Sequence, residues 1–236
     1  SGKTTTLYSI LSELNDPKRN ILTAEDPIEY ELEGIGQSQM KSEINYTFAK
    51  ALRTFLRQDP EVILVGEIRD QETGNIAVEA ALTGHLVCST LHTNSSVETI
   101  TRLVNMGIPN YLISSSVSLV IGQRLARKIC QKCKIEDKNS SAKLLKQMKL
   151  PSDLNPMVGK GCKECNNSGY KGRQGIYEIL KITEDLQDGI LKNLTIPEME
   201  AVAKKEGFLS MQEVGAGYIK EGLLSLEEYQ RTLFIS

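Results

Sequence analysis

Residues 62–65 form an unbroken apolar run, which is the pattern of a strand covered on both faces of a sheet. Two further runs predict strands, a short one at residues 20–24 and another buried one at residues 86–91. Between and after these runs, apolar residues three or four positions apart predict amphipathic helices. The predicted helices lie at residues 7–14, 48–56, 71–82, 97–106 and 111–129. This alternation of strands and helices predicts an α/β fold with a parallel sheet.

The C-terminal part has a different pattern. Residues 176–180 predict a strand, and from residue 183 the apolar spacing is helical. The predicted helices are 186–194, 197–206, 211–221 and 226–233, and we expect them to form a small helical bundle. Residues 31–47 are polar with two glycines, so either a hairpin or a long loop fits them.

Charged residues directly follow two of the predicted strands. Gly66 and Glu67 come after residues 62–65, and Glu25, Asp26 and Glu29 come at the end of residues 20–24. In open α/β sheets the ligand lies beyond the carboxyl ends of the strands, so these acids are candidates for metal or water binding. Solvated charged turns after core strands would give the same pattern.

The first residues have the form of the second half of a phosphate-binding loop, G-x-x-x-x-G-K-[ST]. In such a loop, backbone amides surround the phosphates, Lys3 reaches the β and γ oxygens, and Thr4 holds Mg²⁺. The helix that begins here would add its dipole to the binding of phosphate. The first glycine of the motif would precede Ser1, so we expect this chain to be a piece of a longer protein.

Two histidines flank the third apolar run. His92 follows it within a cluster of Ser, Thr and Asn residues, which fits a sensor of the γ-phosphate, whereas His85 precedes it and fits a structural role equally well. Arg53 and Arg57 lie on the polar face of the helix predicted at 48–56 or just beyond it. An arginine beside a γ-phosphate stabilises transition-state charge, but a salt-bridged helix surface explains both residues as well.

Four of the five cysteines form two C-x-x-C pairs, Cys130 with Cys133 and Cys162 with Cys165. This spacing predicts a tetrahedral zinc site with four thiolates and no open position, which is typical of structural zinc. The fifth, Cys88, lies inside a predicted strand, and we interpret it as a small buried apolar residue.

Composition narrows the function further. Apolar residues make up 40% of the chain, enough for a core, and the formal net charge of −2 gives no reason to expect general affinity for polyanions. No apolar run approaches membrane-spanning length, and no signal peptide is visible. Paired cysteines in a nucleotide-binding chain indicate a reducing compartment and a metal rather than disulfides.

Four ordered motifs together resemble the Walker A, Asp-box, Walker B and His-box motifs of secretion ATPases. The motifs are SGKTTT (1–6), TAEDPIEY (23–30), DPEVILVGEIRD (59–70) and TGHLVCSTLHTN (83–94). The cysteine pairs and GRQGIYEIL (172–180) narrow the resemblance to the type II secretion and type IV pilus assembly ATPases. It covers essentially the whole chain.

The resemblance implies a RecA-like P-loop NTPase domain at residues 1–129, an inserted four-cysteine zinc subdomain at 130–175 and a C-terminal helical subdomain at 176–236. It implies an enzyme that hydrolyses ATP with Mg²⁺, with a structural Zn²⁺. Carried over by motif, Glu67 acts on the metal's water shell, and Glu29, with Glu25 as the lesser candidate, orients the attacking water. His85 and His92 belong to the shell that senses the γ-phosphate. The implied nucleotide-binding residues are Ser1, Gly2, Lys3, Thr4, Thr5, Arg53 and Arg57, and the implied zinc ligands are Cys130, Cys133, Cys162 and Cys165.

The resemblance also implies a homo-hexamer on the cytoplasmic face of the inner membrane. There it would contact platform and adaptor proteins, without direct binding of nucleic acid, and power the assembly of pilin-like fibres. Whether the chain binds or hydrolyses ATP by itself stays open, since the family's N-terminal domains contribute arginines and subunit contacts.

Two alternatives stay open at this stage. One is a pilus-retraction or DNA-uptake motor of the same superfamily, although the retraction branch lacks the four-cysteine insertion by resemblance. The other is a zinc-ribbon module that binds nucleic acid and has a degenerate nucleotide site. The near-neutral charge and the scarcity of aromatic residues near the cysteines count against it.

Overall fold

The computed structural model describes residues 2–138, 142–148, 150–151 and 154–234. Ser1, one of the predicted nucleotide-binding residues, lies outside them. The chain divides into two compact units. The first, called the sheet unit here, comprises residues 3–120 and 180–207; the second, called the cysteine unit, comprises residues 1–2, 121–179 and 208–236. The division into three parts that the sequence predicts stays a prediction.

The helices and strands alternate in the first half of the chain, as the sequence predicts. The strands are β1 (Ile21–Glu25), β2 (Gly36–Gln39), β3 (Val62–Val65), β4 (Leu86–Ser89), β5 (Leu119–Ile129), β6 (Lys134–Glu136), β7 (Met157–Gly159) and β8 (Tyr170–Lys181). The helices are α1 (Lys3–Leu14), α2 (Phe48–Phe55), α3 (Gln71–Leu82), α4 (Ser96–Asn105), α5 (Asn110–Ser116), α6 (Ala142–Gln147), α7 (Glu184–Leu191), α8 (Ile196–Lys205), α9 (Met211–Lys220) and α10 (Leu226–Leu233). None of the described helices is long and apolar enough to span a bilayer.

The sheet unit is built on a parallel four-stranded sheet with the order β2-β1-β3-β4. Ala24 lies opposite Val65, and Val65 lies opposite Ser89, so three strands end in step. We call this end of the sheet the carboxyl edge. The predicted α/β fold with a parallel sheet is therefore confirmed.

The continuous apolar run of β3 is explained by two cores, one on each face of the sheet. Ile63 and Val65 pack into a cluster that contains Leu52 and Phe55 of α2. Val62 and Leu64 pack into a second cluster with Leu11 of α1 and other residues. Alternate side chains of a strand point to opposite faces of the sheet. A strand that is buried on both faces is therefore apolar at every position.

The helix predicted at 111–129 is wrong for most of its length. Helix α5 ends at Ser116, and residues 119–129 form the long strand β5, which pairs with β8. Apolar residues four positions apart, such as Val117, Ile121 and Leu125, fit a helix, but four is also an even number and fits one face of a strand. The distant partner β8 decides between the two.

The polar stretch 31–47, left open by the sequence, contains the edge strand β2, a 3₁₀ turn at Ser42–Ile44 and an isolated bridge between Lys41 and Tyr46. The predicted C-terminal helices are present, and they are divided between the units. Helices α7 and α8 belong to the sheet unit, and α9 and α10 belong to the cysteine unit, where their core contains Met211, Ile219 and Tyr229.

Candidate functional site

Lys3 is the first residue of α1, and Gly2 before it has a φ of +78°, in the left-handed region that favours glycine. The Lys3 ammonium group donates a hydrogen bond to the Leu91 carbonyl oxygen at 2.6 Å. Burial lowers the pKa of Lys3, and the negative charge of Glu67 opposes that effect. Lys3 therefore lies at the carboxyl edge, where it joins the start of α1 to the segment that follows β4. Thr4 is partly exposed and Thr5 is exposed.

Glu67, two residues after β3, is a buried carboxylate of this edge and is 8% exposed. One of its oxygens lies 2.5 Å from the Arg69 guanidinium, and the other lies 3.5 Å from His92 Nε2. The His92 side chain is 79% exposed, so a ligand has access to its ring. The structure thus brings together three residues that the sequence singles out: Lys3, Glu67 and His92.

Gly66 allows the ends of β3 and β1 to approach each other closely. Its amide donates to the Ala24 carbonyl at 2.8 Å. A Cβ atom at this position would lie 3.2 Å from that same oxygen, which is tighter than ordinary contact. The Thr90 hydroxyl donates to the Gly66 carbonyl at 2.7 Å and ties the end of β4 to the same point.

Glu25, the last residue of β1, is 3% exposed and is surrounded by hydrogen-bond donors. The Thr23 hydroxyl donates to Oε1 at 2.5 Å, Gln37 Nε2 donates to Oε1 at 3.1 Å, and the Tyr8 hydroxyl donates to Oε2. Both oxygens of the Glu25 carboxylate therefore already accept hydrogen bonds from protein groups. Glu29, four residues further along, is exposed.

The other predicted residues lie elsewhere. His85 precedes β4, so it lies at the opposite end of that strand from His92, and its Nδ1 is 2.8 Å from the Ala80 carbonyl at the end of α3. Arg53 forms an ion pair with Glu72 at 2.8 Å, with both side chains more than half exposed, and Arg57 is exposed. The structure does not bring His85 to the carboxyl edge, and it gives Arg53 a partner on α3.

The four paired cysteines form one cluster in the cysteine unit, with their sulfur atoms all within 4.8 Å of one another. The Cys130–Cys162 and Cys133–Cys165 sulfur distances are 3.9 Å, and the Cys162–Cys165 distance is 3.7 Å. A zinc ion bonded to four sulfurs at about 2.3 Å in a tetrahedron separates them by about 3.8 Å. The cluster therefore has the dimensions of a tetrathiolate zinc site.

Backbone amides favour the thiolate at Cys165. Burial of this sulfur opposes ionisation, but the amides of Cys162 and Gly169 donate to it at 3.2 and 3.3 Å, and the pKa falls to about 6. Burial and the neighbouring sulfurs raise the pKa of Cys133 to about 12. Four thiolates so close together repel one another, so full ionisation requires a cation among them.

Two glycines let the backbone segments around the cluster cross. A Cβ atom on Gly159 would lie 2.0 Å from the Gly169 carbonyl oxygen, and a Cβ atom on Gly169 would lie 2.4 Å from the Gly159 oxygen. Around this crossing, Cys130 N donates to Gly169 O at 2.9 Å, and Lys160 N donates to Cys133 O at 3.0 Å. Side chains at either glycine would separate the segments that carry the cysteines.

Sequence analysis missed several residues of the carboxyl edge, above all Tyr8, Gln37 and Arg69. A weak signal existed for Tyr8, since it lies three residues before Leu11 on a predicted amphipathic helix. A tyrosine on the buried face of a helix needs a partner for its hydroxyl group. Gln37 lies in a segment that sequence patterns do not resolve, and Arg69 carried no signal beyond its closeness to Glu67.

The family described as Type II/IV secretion system protein matches residues 1–231. The chain is 49% identical over 234 residues to a type II secretion system protein E of Pseudomonas aeruginosa, with 98% of this chain and 46% of the relative covered. It is 47% identical over 236 residues to a type IV pilus assembly ATPase PilB of Acinetobacter baylyi, with 98% and 41% covered. The chain thus spans less than half the length of these curated relatives.

Solved structures match the fold. A crystal structure of the pilus retraction motor PilT with bound ADP superposes with a TM-score of 0.71 at 31% identity and covers 98% of this chain and 57% of PilT. The Legionella pneumophila ATPase DotB gives a TM-score of 0.67 at 28% identity, with 98% and 56% covered. The predicted ATPase fold is therefore confirmed, and the chain belongs to the type II/IV secretion system protein family, as the four sequence motifs predict.

Proposed function

We propose that this chain is the catalytic region of an ATP-hydrolysing motor that powers the assembly of pilin-like fibres in type II secretion or type IV pilus biogenesis. The observation that carries the proposal is the convergence of Lys3, Glu67 and His92 at the carboxyl edge of a parallel sheet. Relatives at 46–47% identity are named type IV pilus assembly ATPases, which supports the reaction class.

In this proposal each residue has a distinct task. Lys3 would exchange its bond to the Leu91 carbonyl for phosphate oxygens, and Thr4, one residue further into α1, would hold Mg²⁺. With Mg²⁺ and ATP bound, Glu67 would act on the water shell of the metal, Glu29 would orient the attacking water, and His92 would contact the γ-phosphate. Mg²⁺ bound to ATP supplies charge neutralisation, and the protein's contribution is positioning.

The wider nucleotide site stays a proposal as well. Gly2 directly precedes Lys3, Thr5 lies two residues after it, and both would contribute backbone amides. His85 lies at the far end of β4 and would act on the site only through the strand that it precedes. Arg57 is exposed and available to a phosphate or to a neighbouring subunit.

We also propose that Cys130, Cys133, Cys162 and Cys165 hold a structural Zn²⁺. The sulfur separations support this, and four protein ligands leave no position for a reacting water. The metal would join β6 and β7, an antiparallel pair of three residues each, to the remainder of the cysteine unit. Such short strands supply little stability by themselves.

For the intact protein we propose a homo-hexamer on the cytoplasmic face of the inner membrane, in contact with platform and adaptor proteins of the fibre-assembling machine. An assembly motor is favoured over a retraction motor by identity: 47–49% to secretion E and PilB proteins against 31% to PilT. The four-cysteine cluster favours the same branch.

The test is ATP turnover by the full-length protein and its variants. We expect Lys3→Ala and Glu67→Gln to lower kcat at least 100-fold, since each removes a group that acts on the phosphates or on the metal. Glu13→Gln, an exposed residue on the same helix as Lys3, is the matched control and should hydrolyse ATP at the normal rate. Normal turnover by Lys3→Ala or Glu67→Gln would overturn the assignment.

A further inference from the structure

Tyr8 is a buried residue of α1 that the proposed chemistry does not use. It is 1% exposed and lies five residues after Lys3, about one and a half helical turns along α1. Its ring meets the Tyr30 ring edge-on, with 4.7 Å between the ring centroids. Tyr8 therefore connects the helix that begins at Lys3 with the turn that follows β1.

The Tyr8 hydroxyl group is the meeting point of three other groups. It donates to Glu25 Oε2, accepts from the Glu29 backbone amide at 3.3 Å and accepts from Gln37 Nε2 at 3.4 Å. Burial first, and the bond to Glu25 second, raise the pKa of Tyr8 to about 12. The hydroxyl group therefore keeps its proton and remains a donor to Glu25 throughout the neutral range.

The turn at residues 26–32 is held by side chains rather than by a regular backbone ladder. Gln39 Oε1 accepts from the Ile28 amide at 3.4 Å, and Tyr8 accepts from the Glu29 amide. Gln37 bonds the turn twice: its Oε1 accepts from Leu32 N at 2.7 Å, and its Nε2 donates to Tyr30 O at 3.2 Å. These contacts supply partners for backbone groups that the strands leave unpaired.

Gln37 closes the arrangement from the sheet. It lies on β2 opposite Thr23 of β1, and both side chains donate to the same oxygen of Glu25. The buried carboxylate thus has donors from α1, β1 and β2. Removal of one donor leaves part of a buried charge unsatisfied, and such groups shift position or take in water.

We propose that Tyr8 is a positioning residue: through Glu25 and the Glu29 amide, it fixes the turn that carries Glu29 relative to the helix that begins at Lys3. The inference rests on the proposed function, because it assigns to Glu29 the orientation of the attacking water. It also gives Glu25 a structural task, and it leaves Glu29 as the carboxylate that faces the reaction.

The physical reason lies in the geometry of α1. Phosphates bound at Lys3 fix the start of α1. The Tyr8 hydroxyl group, further along the same helix, then holds the turn in place through its bond with the Glu29 amide. Reactions of this class depend on placement, and an error of about 1 Å in a reacting group costs roughly 100-fold in rate. Loss of the hydroxyl group should therefore affect the chemical step more than the binding of ATP.

The experiment measures ATP turnover by the full-length protein carrying Tyr8→Phe. We expect kcat to fall about 10-fold while the KM for ATP changes less than about 2-fold. Tyr30→Phe is the matched control, since it removes the same hydroxyl group from the neighbouring ring of a residue that is 54% exposed, and it should retain normal kcat.

A double-variant cycle separates positioning from general loosening of the fold. If Tyr8 acts through Glu29, Tyr8→Phe with Glu29→Gln is no slower than Glu29→Gln alone. Gln37→Ala, on the edge strand β2, is a second variant with the same expected coupling, and it keeps the test usable if Tyr8→Phe does not fold.

Equal kcat values for Tyr8→Phe and Tyr30→Phe, or losses that multiply in the double variant, would overturn the inference. This failure is distinguishable from failure of the proposed function. If only the inference about Tyr8 fails, the normal protein hydrolyses ATP and Lys3→Ala does not. If the proposed function fails, Lys3→Ala hydrolyses ATP as fast as the normal protein.

Discussion

The carboxyl edge of the sheet and the four-cysteine cluster differ in the signs of the charges that they bring together. At the carboxyl edge the buried Glu67 lies beside the Arg69 guanidinium, His92 and the charge of Lys3, so opposite charges meet. In the cysteine cluster the four sulfurs lie within 4.8 Å of one another, and all of them become negative when they ionise. The first arrangement is complete within the protein, whereas the second requires a cation.

This difference predicts how each region responds when the ligand proposed for it is absent. A cluster of opposite charges keeps its geometry without nucleotide, because each group has a protein partner. A cluster of like charges either keeps its protons or separates, because nothing in the protein neutralises it. The following predictions test that contrast, first where the expected effect is largest.

Removal of metal should have the largest effect. Binding of a structural zinc ion contributes about 10 kcal/mol or more to the folding of small zinc domains, so chelation should unfold the segment around the cysteines. We expect protease cleavage sites to appear within residues 130–175 after treatment with a chelator, together with release of one Zn²⁺ per chain.

Cys165→Ser should reproduce this result without a chelator, and Cys88→Ser is the matched control, since Cys88 lies on β4 outside the cluster. Protease resistance that is unchanged in the metal-free protein would contradict the contrast, because four like-charged groups would then hold together unaided.

Glu228 tests whether stability depends on opposite charges meeting or on the unit in which the charges lie. It lies in the same unit as the cysteines, but its fully buried carboxylate accepts hydrogen bonds from Arg127 Nε at 2.9 Å and Arg231 Nε at 2.8 Å. Glu228→Gln leaves two arginines without their anion, and we expect a loss of about 3 kcal/mol in the free energy of unfolding, measured with urea. Glu227→Gln, whose side chain is 74% exposed, should cost less than about 0.5 kcal/mol.

The pH dependence of this loss has a defined sign. Burial opposes ionisation of Glu228, but the bonds from Arg231 and Arg127 outweigh it and lower the pKa from 4.5 to about 2. A depressed pKa stabilises the folded state fully above the unfolded pKa, and the contribution disappears as the pH falls towards 2. The stability gap between the normal protein and Glu228→Gln should therefore narrow from pH 6 to pH 3, and a gap that widens would contradict this assignment.

Apart from the control variants, the smallest effect is expected at Arg53. Its ion pair with Glu72 joins opposite charges, as at Glu67, but both side chains are more than half exposed and water screens them. We expect Arg53→Ala to change the free energy of unfolding by less than 1 kcal/mol and ATP turnover by less than about 2-fold. A large loss of turnover would instead support the phosphate contact that the sequence predicts for Arg53.

The sequence predicts the sheet unit well because its signals are local. The apolar run of β3 is read correctly, since a strand buried on both faces shows its burial in its own residues. Strand β5 is predicted wrongly, because its apolar spacing fits both a helix and a strand. The choice between them depends on pairing with β8, some 50 positions away. Strand β2, with the residues GQSQ, carries no apolar signal and is defined by its pairing with β1.

The candidate site shows the same limit. Motifs locate Lys3 and Glu67, and the resemblance ranks Glu29 above Glu25, but it gives no physical reason for that order, because both acids follow the same predicted strand. The distinction comes from contacts that Tyr8 and Gln37 make across 17 and 12 positions of the chain, which leave Glu25 buried and Glu29 exposed. Hydrogen-bond networks of this kind depend on the folded arrangement and leave no periodic trace in the sequence.

The crossing of Gly159 and Gly169 has a consequence for how this protein can evolve. At both positions even a methyl group would overlap the carbonyl oxygen of the other glycine. A change at one glycine cannot be offset by a change at the other, because both are already the smallest residue. These two positions therefore admit glycine alone for as long as the backbone segments that carry the cysteines cross here.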